Sequence, residues 1–347
     1  MKDIKFGNRI IGENYPTFII AEISANHNQS FDKAVEIIKA AKEAGADAVK
    51  VQTYTADTIT LNCNSDDFLA HGLWEGQSLY DLYSEAYTPW EWQPKLKEIA
   101  EKEGLEFFSS PFDFTAVDFL ENMNVPAYKV ASFEITDIPL IKYMASKMKP
   151  MIMSTGIARL SDIDEAVRAC RDVGNNNIIL LKCTSAYPAP MEEANLRVIP
   201  NMIETFDVTV GLSDHTFGRT VPLGAVALGA KVVEKHLIMK RSDGGPDSGF
   251  SMEFEEFKEM VKAIRDLEKA IGKVAYDLTD KQIKSREHSR SLYVSTDVKK
   301  GDIITRKNVR SVRPGFGMAT KHIDEILGKK FRNDYKMGTR MKWNMVE

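Results

Sequence analysis

Two histidines close consecutive β-branched runs: His215 follows VTVGLSD (208–214), and His236 ends KVVEKH (231–236). If those runs are neighbouring strands, the two imidazoles approach a common point. Two ring nitrogens with carboxylates nearby suit Mn²⁺, Fe²⁺ or Zn²⁺, with water or substrate in the open positions. The alternative is a pair of structural histidines hydrogen-bonded at the mouth of the fold. Glu234 lies two residues before His236, so both share one strand face. Lys50 and Lys129, with the hydroxyls of Ser132, Ser154 and Ser213, supply charge and small donors of the kind that hold a phosphate or carboxylate. Here the competing reading pairs each lysine with a buried glutamate.

These residues belong to a repeating arrangement. Eight apolar runs recur along the chain: TFIIAEIS (17–24), DAVKVQT (47–53), LEFFSSP (105–111), AYKVAS (127–132), PMIMSTG (150–156), IILLKCT (178–184), VTVGLSD and KVVEKH. Each ends in polar groups: Glu22 with Asn26 and His27; Lys50 and Gln52; Ser109 and Ser110; Lys129 with Ser132 and Glu134; Ser154 and Thr155; Lys182 with Ser185; Ser213, Asp214 and His215; Glu234, Lys235 and His236. Packing alone does not explain eight such ends, because buried charge is costly unless paired or used. Nearly continuous apolar runs read as parallel strands covered on both faces. Between them lie amphipathic helices such as FDKAVEIIKAAKEAG (31–45) and SDIDEAVRACRDVG (161–174), the latter with Ser161 set to cap it and Gly174 to stop it. Eight β/α units predict a (β/α)₈ TIM barrel over residues 1–272, with its chemistry at the C-terminal strand ends. A doubly wound sheet is the weaker choice, since no G-x-G-x-x-G follows the first run.

One connection is far longer than the usual βα loop: residues 54–88 carry HGLWEGQSLYDLYSEAY ahead of TPWEW. It reads as a lid or substrate wall, with a self-packed excursion as the alternative. After a polar connector at 273–288 comes a basic unit, 289–347, with 14 Lys and Arg against 6 Asp and Glu, while the rest of the chain has 32 against 44. Without interleaved aromatics or a binding module, this charge argues for docking rather than nucleic acid. In all, 347 residues at 43% apolar and 28% charged describe a folded chain, and no run is long enough to span a membrane. The N-terminal MKDIKFGNRIIGENYP does not read as a secretory signal. Three cysteines without a CxxC pair suit a reducing, cytoplasmic setting.

With these residues laid out, the chain resembles the sialic acid synthase family over essentially its full length. The stretches that carry the resemblance are IIAEISANHNQ, DAVKVQT, FFSSPFD, YKVASFEITD, MSTGIA, KCTSAYPAP, GLSDHTFG, VEKHLIM, GGPDSGFSM and SVRPGFGM. It implies a metal-dependent condensation of phosphoenolpyruvate with an N-acylated amino sugar, releasing phosphate by C–O cleavage and giving a nonulosonic acid. It further implies His215 and His236 as ligands of Mn²⁺ or Mg²⁺, and Lys50, Lys129, Ser132, Ser154, Ser185 and Ser213 around phosphoenolpyruvate. Gln52, Tyr187 and Asp247 match sugar-contacting positions; Glu22 and Glu134 match acidic residues near the reacting carbons. The family often has Asn where this chain has Ser185. Residues 289–347 look like the family's antifreeze-like (SAF) domain, which in a domain-swapped homodimer brings an arginine, here Arg313, to the partner's site. GLWEGQSLYDLYSEAYTPWEW and ASFEITDIPLI look most like the pseudaminic acid synthase branch, whose sugar is 2,4-diacetamido-2,4,6-trideoxy-L-altrose. A wall of Trp74, Tyr80, Tyr83, Tyr87, Trp90 and Trp92 suits that apolar sugar. The N-acetylneuraminate and legionaminate branches are the alternatives. Further off stand a Schiff-base lyase using Lys129 or Lys182, and a sugar-binding protein without catalysis.

Overall fold

The apolar runs form strands because β-branched residues pack well on a pleated surface, and the helices between them cover that surface. The computed structural model describes residues 2–347. The chain divides into two units, Met1–Gly272 and Lys273–Glu347. The first opens with an antiparallel hairpin, β1 (Ile4–Phe6) and β2 (Arg9–Ile11), which sequence reading did not resolve. Eight parallel strands follow: β3 (Phe18–Glu22), β4 (Ala48–Thr53), β5 (Glu106–Pro111), β6 (Tyr128–Val130), β7 (Met151–Ser154), β8 (Ile178–Cys183), β9 (Thr209–Asp214) and β10 (Val232–Ile238). Each pairs with its successor and β10 returns to β3, closing the (β/α)₈ barrel. A two-residue strand, β11 (Met252–Glu253), extends the edge of β10.

Inside the barrel, alternation along each strand builds layers. The lower layer is apolar: Ile20, Ala48, Phe108, Ile152, Ile179, Leu181 and Val232 pack together with Phe6 and Ile11 of the hairpin. Phe6 touches Phe18 and Phe108, with ring centres at 4.8 and 5.1 Å, so the hairpin plugs this end against water. Polar side chains enter only above that layer.

The helices form largely where periodicity places them. Phe31–Ala44 is capped by Ser30, whose Oγ accepts from the Lys33 N–H, and ends at Gly45. The helix expected to be capped by Ser161 instead spans Leu160–Asp172. There Asp162 accepts the Arg159 N–H at 2.8 Å, because a carboxylate at N3 reaches back to the N-cap better than a hydroxyl inside the first turn. Gly174 follows its end at φ +89°. The long 54–88 connection contains the helices Ala56–Ile59 and Leu79–Ala86.

The second unit pairs β12 (Ser291–Val294) with β13 (Val309–Val312) and β14 (Met318–Ala319) around Leu292, Val294, Ile304, Ile326, Phe331 and Met341. Residues 273–288, read from sequence as a connector, group with this unit and carry the helix Asp280–Ser285.

Gly211 in β9 allows β8, β9 and β10 to approach: a Cβ there would stand 2.5 Å from the Val232 carbonyl oxygen and 2.7 Å from Leu181 Cδ2. Gly211→Ala is therefore expected to lower stability by about 1–3 kcal/mol through overpacking, read as the urea midpoint of the barrel. An unchanged midpoint would show that the strands can separate without cost.

Candidate active site

Four charged side chains meet above the apolar layer. Register sets Glu22 of β3 beside Lys50 of β4, and Ser213 of β9 beside Glu234 of β10. Lys50 Nζ is ion-paired with Glu22 and lies 3.8 Å from Glu234 Oε1; Lys129 Nζ lies 3.7 Å from that same oxygen. Hydroxyls complete the shell: Lys50 donates to Ser110 Oγ at 3.3 Å, Lys129 to Ser154 Oγ at 2.7 Å, and Ser213 to Glu234 at 3.1 Å. All four charged groups are buried. Burial pushes the Glu22 carboxyl up to about 7 despite Lys50, and Glu234 adds to the push. Burial would raise Glu234 too, but Lys129 and Lys50 hold it below the usual carboxylate range. Burial lowers Lys129, while Glu22 and Glu234 together outweigh burial at Lys50 and hold it above its ordinary value. Two carboxylates thus share Lys50, and near neutrality Glu22 is the one that takes a proton.

Beside this floor is a small recess. A Cβ on Gly156 would stand 2.0 Å from Ser185 Oγ, 2.7 Å from Ser132 Oγ and 3.1 Å from Cys183 Sγ, so only glycine leaves the recess open. The Gly156 N–H donates to Ser132 Oγ at 3.2 Å, and Ser185 Oγ has no partner among the described residues. Glu134 follows Ser132 in a single 3₁₀ turn. Its Oε2 is buried without a partner, and burial raises its carboxyl to about 7 although Lys129 draws it down.

The imidazoles stand over the floor with ring centres 5.3 Å apart. His215 Nδ1 faces the Thr184 carbonyl oxygen at 3.1 Å, and His236 Nδ1 faces Ser24 Oγ at 3.0 Å. A carbonyl only accepts, so His215 carries a proton on Nδ1. Burial lowers this ring, but Cys183 and the Thr184 carbonyl outweigh burial and hold it above its ordinary value. Burial lowers His236, which keeps that ring neutral. Neither Nε2 is hydrogen-bonded to a described residue, so both remain available as metal donors. Asp247 Oδ2 approaches His236 on its Nδ1 side, at 4.0 Å, and the Glu234 carboxylate faces the lysines. Among the described residues no group of three or more metal-binding side chains forms, so the carboxylates the sequence placed near the pair do not complete a set. The donor chemistry fits a divalent cation held by two imidazoles, with substrate or water completing its shell. Phe250, buried, packs on His236 and Tyr187 at 4.9 Å each, and Tyr187 lies 4.6 Å from His215.

The barrel thus brings together Glu22, Lys50, Gln52, Lys129, Ser154 and Ser213, with Gln52 Nε2 reaching Glu22 at 3.5 Å. It sets Ser132 and Ser185 at one recess and Tyr187, His215, His236 and Asp247 at its rim. Arg313 is exposed in the second unit, on a loop held by the Ser291 hydroxyl donating to Pro314 O at 2.7 Å. The aromatic wall is smaller than expected. Of its six residues Trp74 reaches the rim, 5.8 Å from Tyr187, and Tyr83 lies near enough to Glu134 for that carboxylate, after burial, to help raise its hydroxyl. Tyr83 stacks on Tyr54, Trp90 on Phe119, and Trp92 on His27 and Phe31, while Tyr80 donates to Asp57. Tyr87 contributes a backbone carbonyl to Gln29. Tyr83, Trp90 and Trp92 thus pack against other rings, which removes apolar area from water, and all six residues are half-buried. Lys182 faces the other way from Cys183 and donates to Cys183 O and Thr184 Oγ1 beside a groove between the helices 160–172 and 198–206. It is therefore not a barrel-interior amine. Sequence reasoning gave no role to Cys183, Ser110 or Phe250. Period-two alternation from Leu181 through Cys183 to Ser185 would have found the first.

On the outer face of β9 and β10, Lys235 donates to Asp214 Oδ2 at 2.6 Å and to the Thr216 carbonyl. Asp214 also accepts from the Thr216 N–H at 3.0 Å and its hydroxyl at 3.1 Å. This buried pair locks together the strand ends that carry His215 and His236.

Comparison with known proteins agrees with this geometry. The NeuB family matches residues 37–276, and the SAF domain matches 289–347. A pseudaminic acid synthase of Campylobacter jejuni is 48% identical over 326 residues, 94% of this chain and 95% of that protein. One from Helicobacter pylori is 45% identical over 334 residues, covering 96% and 98%. The crystal structure of an N-acetylneuraminic acid synthetase from Leptospira borgpetersenii superposes with a TM-score of 0.74 at 30% identity, covering 82% of this chain and 95% of that one.

Lys235→Met leaves Asp214 charged and unpaired, and is expected to cost about 3–5 kcal/mol in urea unfolding. The double variant Asp214→Asn/Lys235→Met should regain part of that loss. A single variant as stable as the parent would mean that the pair holds nothing.

Proposed function

This chain belongs to the NeuB family, and from that premise we propose that it condenses phosphoenolpyruvate with 2,4-diacetamido-2,4,6-trideoxy-L-altrose, as a pseudaminic acid synthase does. The observation that carries this reading is 48% and 45% identity to pseudaminic acid synthases over nearly the whole chain. The charged floor under a histidine pair supports its chemistry.

Lys50 and Lys129, with Ser154 and Ser213, bind phosphoenolpyruvate, whose carboxylate and phosphate together carry a charge of about −3. Ser132, Ser185 and the Gly156 N–H receive its remaining oxygens at the recess. A divalent cation, Mn²⁺ or Mg²⁺, held by His215 and His236, supplies Lewis-acid polarisation of the open-chain sugar aldehyde. Gln52, Tyr187 and Asp247 orient the sugar. Phosphoenolpyruvate C3 attacks the aldehyde carbon, leaving positive charge at C2, which Glu22 stabilises across the floor. Water adds at C2, giving one proton to Glu134. The tetrahedral centre then loses its hydroxyl proton and expels phosphate by C–O cleavage to leave the 2-keto group, and the former aldehyde oxygen takes up one of the two protons released to become a hydroxyl.

Within the same reading the protein is a homodimer in which Arg313 serves the sugar side of the partner's barrel. The SAF match and the exposure of Arg313 on a held loop support this. Among the described residues no helix is long and apolar enough to cross a membrane, and a phosphoenolpyruvate-consuming reaction fits the cytoplasm.

A phosphate-release assay with phosphoenolpyruvate and Mn²⁺, with and without EDTA, tests the proposal against the altrose sugar, the legionaminate precursor and N-acetylmannosamine. Turnover on the altrose sugar alone, abolished by EDTA, is expected; preference for another sugar overturns the substrate, and turnover that survives EDTA overturns the metal.

A base must be deprotonated, so the position of Glu134 near 7 predicts that kcat/KM rises with pH through about 7 and then levels. Glu134→Gln should remove that limb and lower kcat by roughly 10²–10⁴-fold. A limb that persists unchanged in the variant would assign it to another group.

A further inference from the structure

The segment after β3 carries four consecutive polar residues, Asn26 to Gln29, to which the proposed chemistry gives no role. Each bonds a different part of the rim. Asn26 Nδ2 donates to the Leu237 carbonyl at 3.0 Å and to Ser251 Oγ at 2.8 Å, and Ser251 in turn donates to the Asp247 carbonyl at 2.6 Å. His27 is fully buried, and burial lowers its ring to about 4, so it is neutral. Its Nδ1 accepts the Gln29 N–H at 3.1 Å, which leaves the Nε2–H to donate to Thr88 Oγ1 at 3.1 Å. Asn28 Nδ2 donates to the carbonyls of Asp243 at 3.2 Å and Gly244 at 3.0 Å. Gln29 Nε2 donates to the carbonyls of Glu85 at 2.8 Å and Tyr87 at 2.6 Å.

The backbone here is bent to make this possible: Ser24, Asn28 and Gln29 have φ of +44°, +47° and +53°. Left-handed backbone at three non-glycine positions in six residues is maintained only where surrounding bonds over-determine it. The opposite loop is shaped to match, since a Cβ on Gly245 would stand 2.0 Å from Asn28 Oδ1. The two loops so held also touch each other, through the Trp74 Nε1–H donating to Pro246 O at 2.9 Å. One contains Asp247; the other presents Trp74 to Tyr187. Both lie on the sugar side of the proposed site, whereas Lys129 and Ser154 stand on β6 and β7, to which no side chain of the segment is hydrogen-bonded.

We propose that Asn26–Gln29 is a clasp that ties the end of the 54–88 loop and the 239–251 loop to β3, and that Asn28 and Gln29 are positioning residues for the sugar, not for phosphoenolpyruvate. The loop part stands on geometry alone; the substrate part rests on the proposed function.

Gln29 is exposed and Asn28 half-buried, so Asn28→Ala and Gln29→Ala leave the core intact. Hydrogen–deuterium exchange on the full chain, without substrate, reads the loops directly. Each variant removes two donors, so amides in the tied loop should exchange roughly three- to tenfold faster, 239–251 for Asn28→Ala and 80–88 for Gln29→Ala. Barrel strands should be unchanged. In steady-state kinetics KM for the sugar should rise several-fold while KM for phosphoenolpyruvate stays constant. Wild-type exchange in both loops overturns the clasp. Loosened loops with both KM values raised together overturn its sugar-side selectivity. Loosened loops in a chain that turns over no sugar tested uphold the clasp and discard the substrate reading.

Discussion

The organisation of the barrel follows from one constraint: two lysines and two glutamates must share an interior that the hairpin and the lower apolar layer close to water. An isolated ion in such a place costs several kcal/mol. Lys50, Lys129 and Glu234 remain charged, and Glu22 partly so, only because each offsets another and because Ser110, Ser154 and Ser213 supply the remaining hydrogen bonds. This fixes which residue each strand must end on. It also explains why the floor is ready for an anion: phosphoenolpyruvate takes up lysine contacts that glutamates now make, so binding exchanges partners rather than desolvating bare charges.

Alternation separates two kinds of charge. Inward-facing residues carry the proposed chemistry; the next residue along the same strand faces the helices and has a different task. Asp214 stands between Ser213 and His215, and Lys235 between Glu234 and His236, and these two outward groups pair with each other and with Thr216. The strand ends are thereby set by an ion pair behind the site. Its loops are set by neutral hydrogen bonds beside it, at Asn26–Gln29. A neutral clasp suits that place, because charges at the rim would compete with an anionic substrate.

Much of this was legible in the sequence, for identifiable reasons. The eight barrel strands were visible because buried parallel strands are unbroken apolar runs, and the site was visible because each run ends in groups too costly to bury idly. The hairpin at Ile4–Ile11 was missed: two three-residue strands are too short to show a period. The aromatic wall was over-read because composition cannot tell a ring that lines a cavity from one that fills a layer. Trp92 against His27 is the second kind, and Trp74 against Tyr187 the first. The clasp was noticed only as polar residues after a strand, because its partners are mostly backbone carbonyls far along the chain, which carry no sequence signal.

Charge balance then links the floor to the rim in the proposed reaction. Lys50 and Lys129 contribute two positive charges, Glu234 removes one, and Glu22 near its midpoint at neutrality removes part of another. A substrate of about −3 therefore leaves the barrel strongly negative unless other cations arrive. The divalent ion proposed for His215 and His236 would supply two positive charges to this balance. On this reasoning the lysines alone cannot bind phosphoenolpyruvate tightly. A metal at the histidine pair, as proposed, would answer the same electrostatic requirement as the floor.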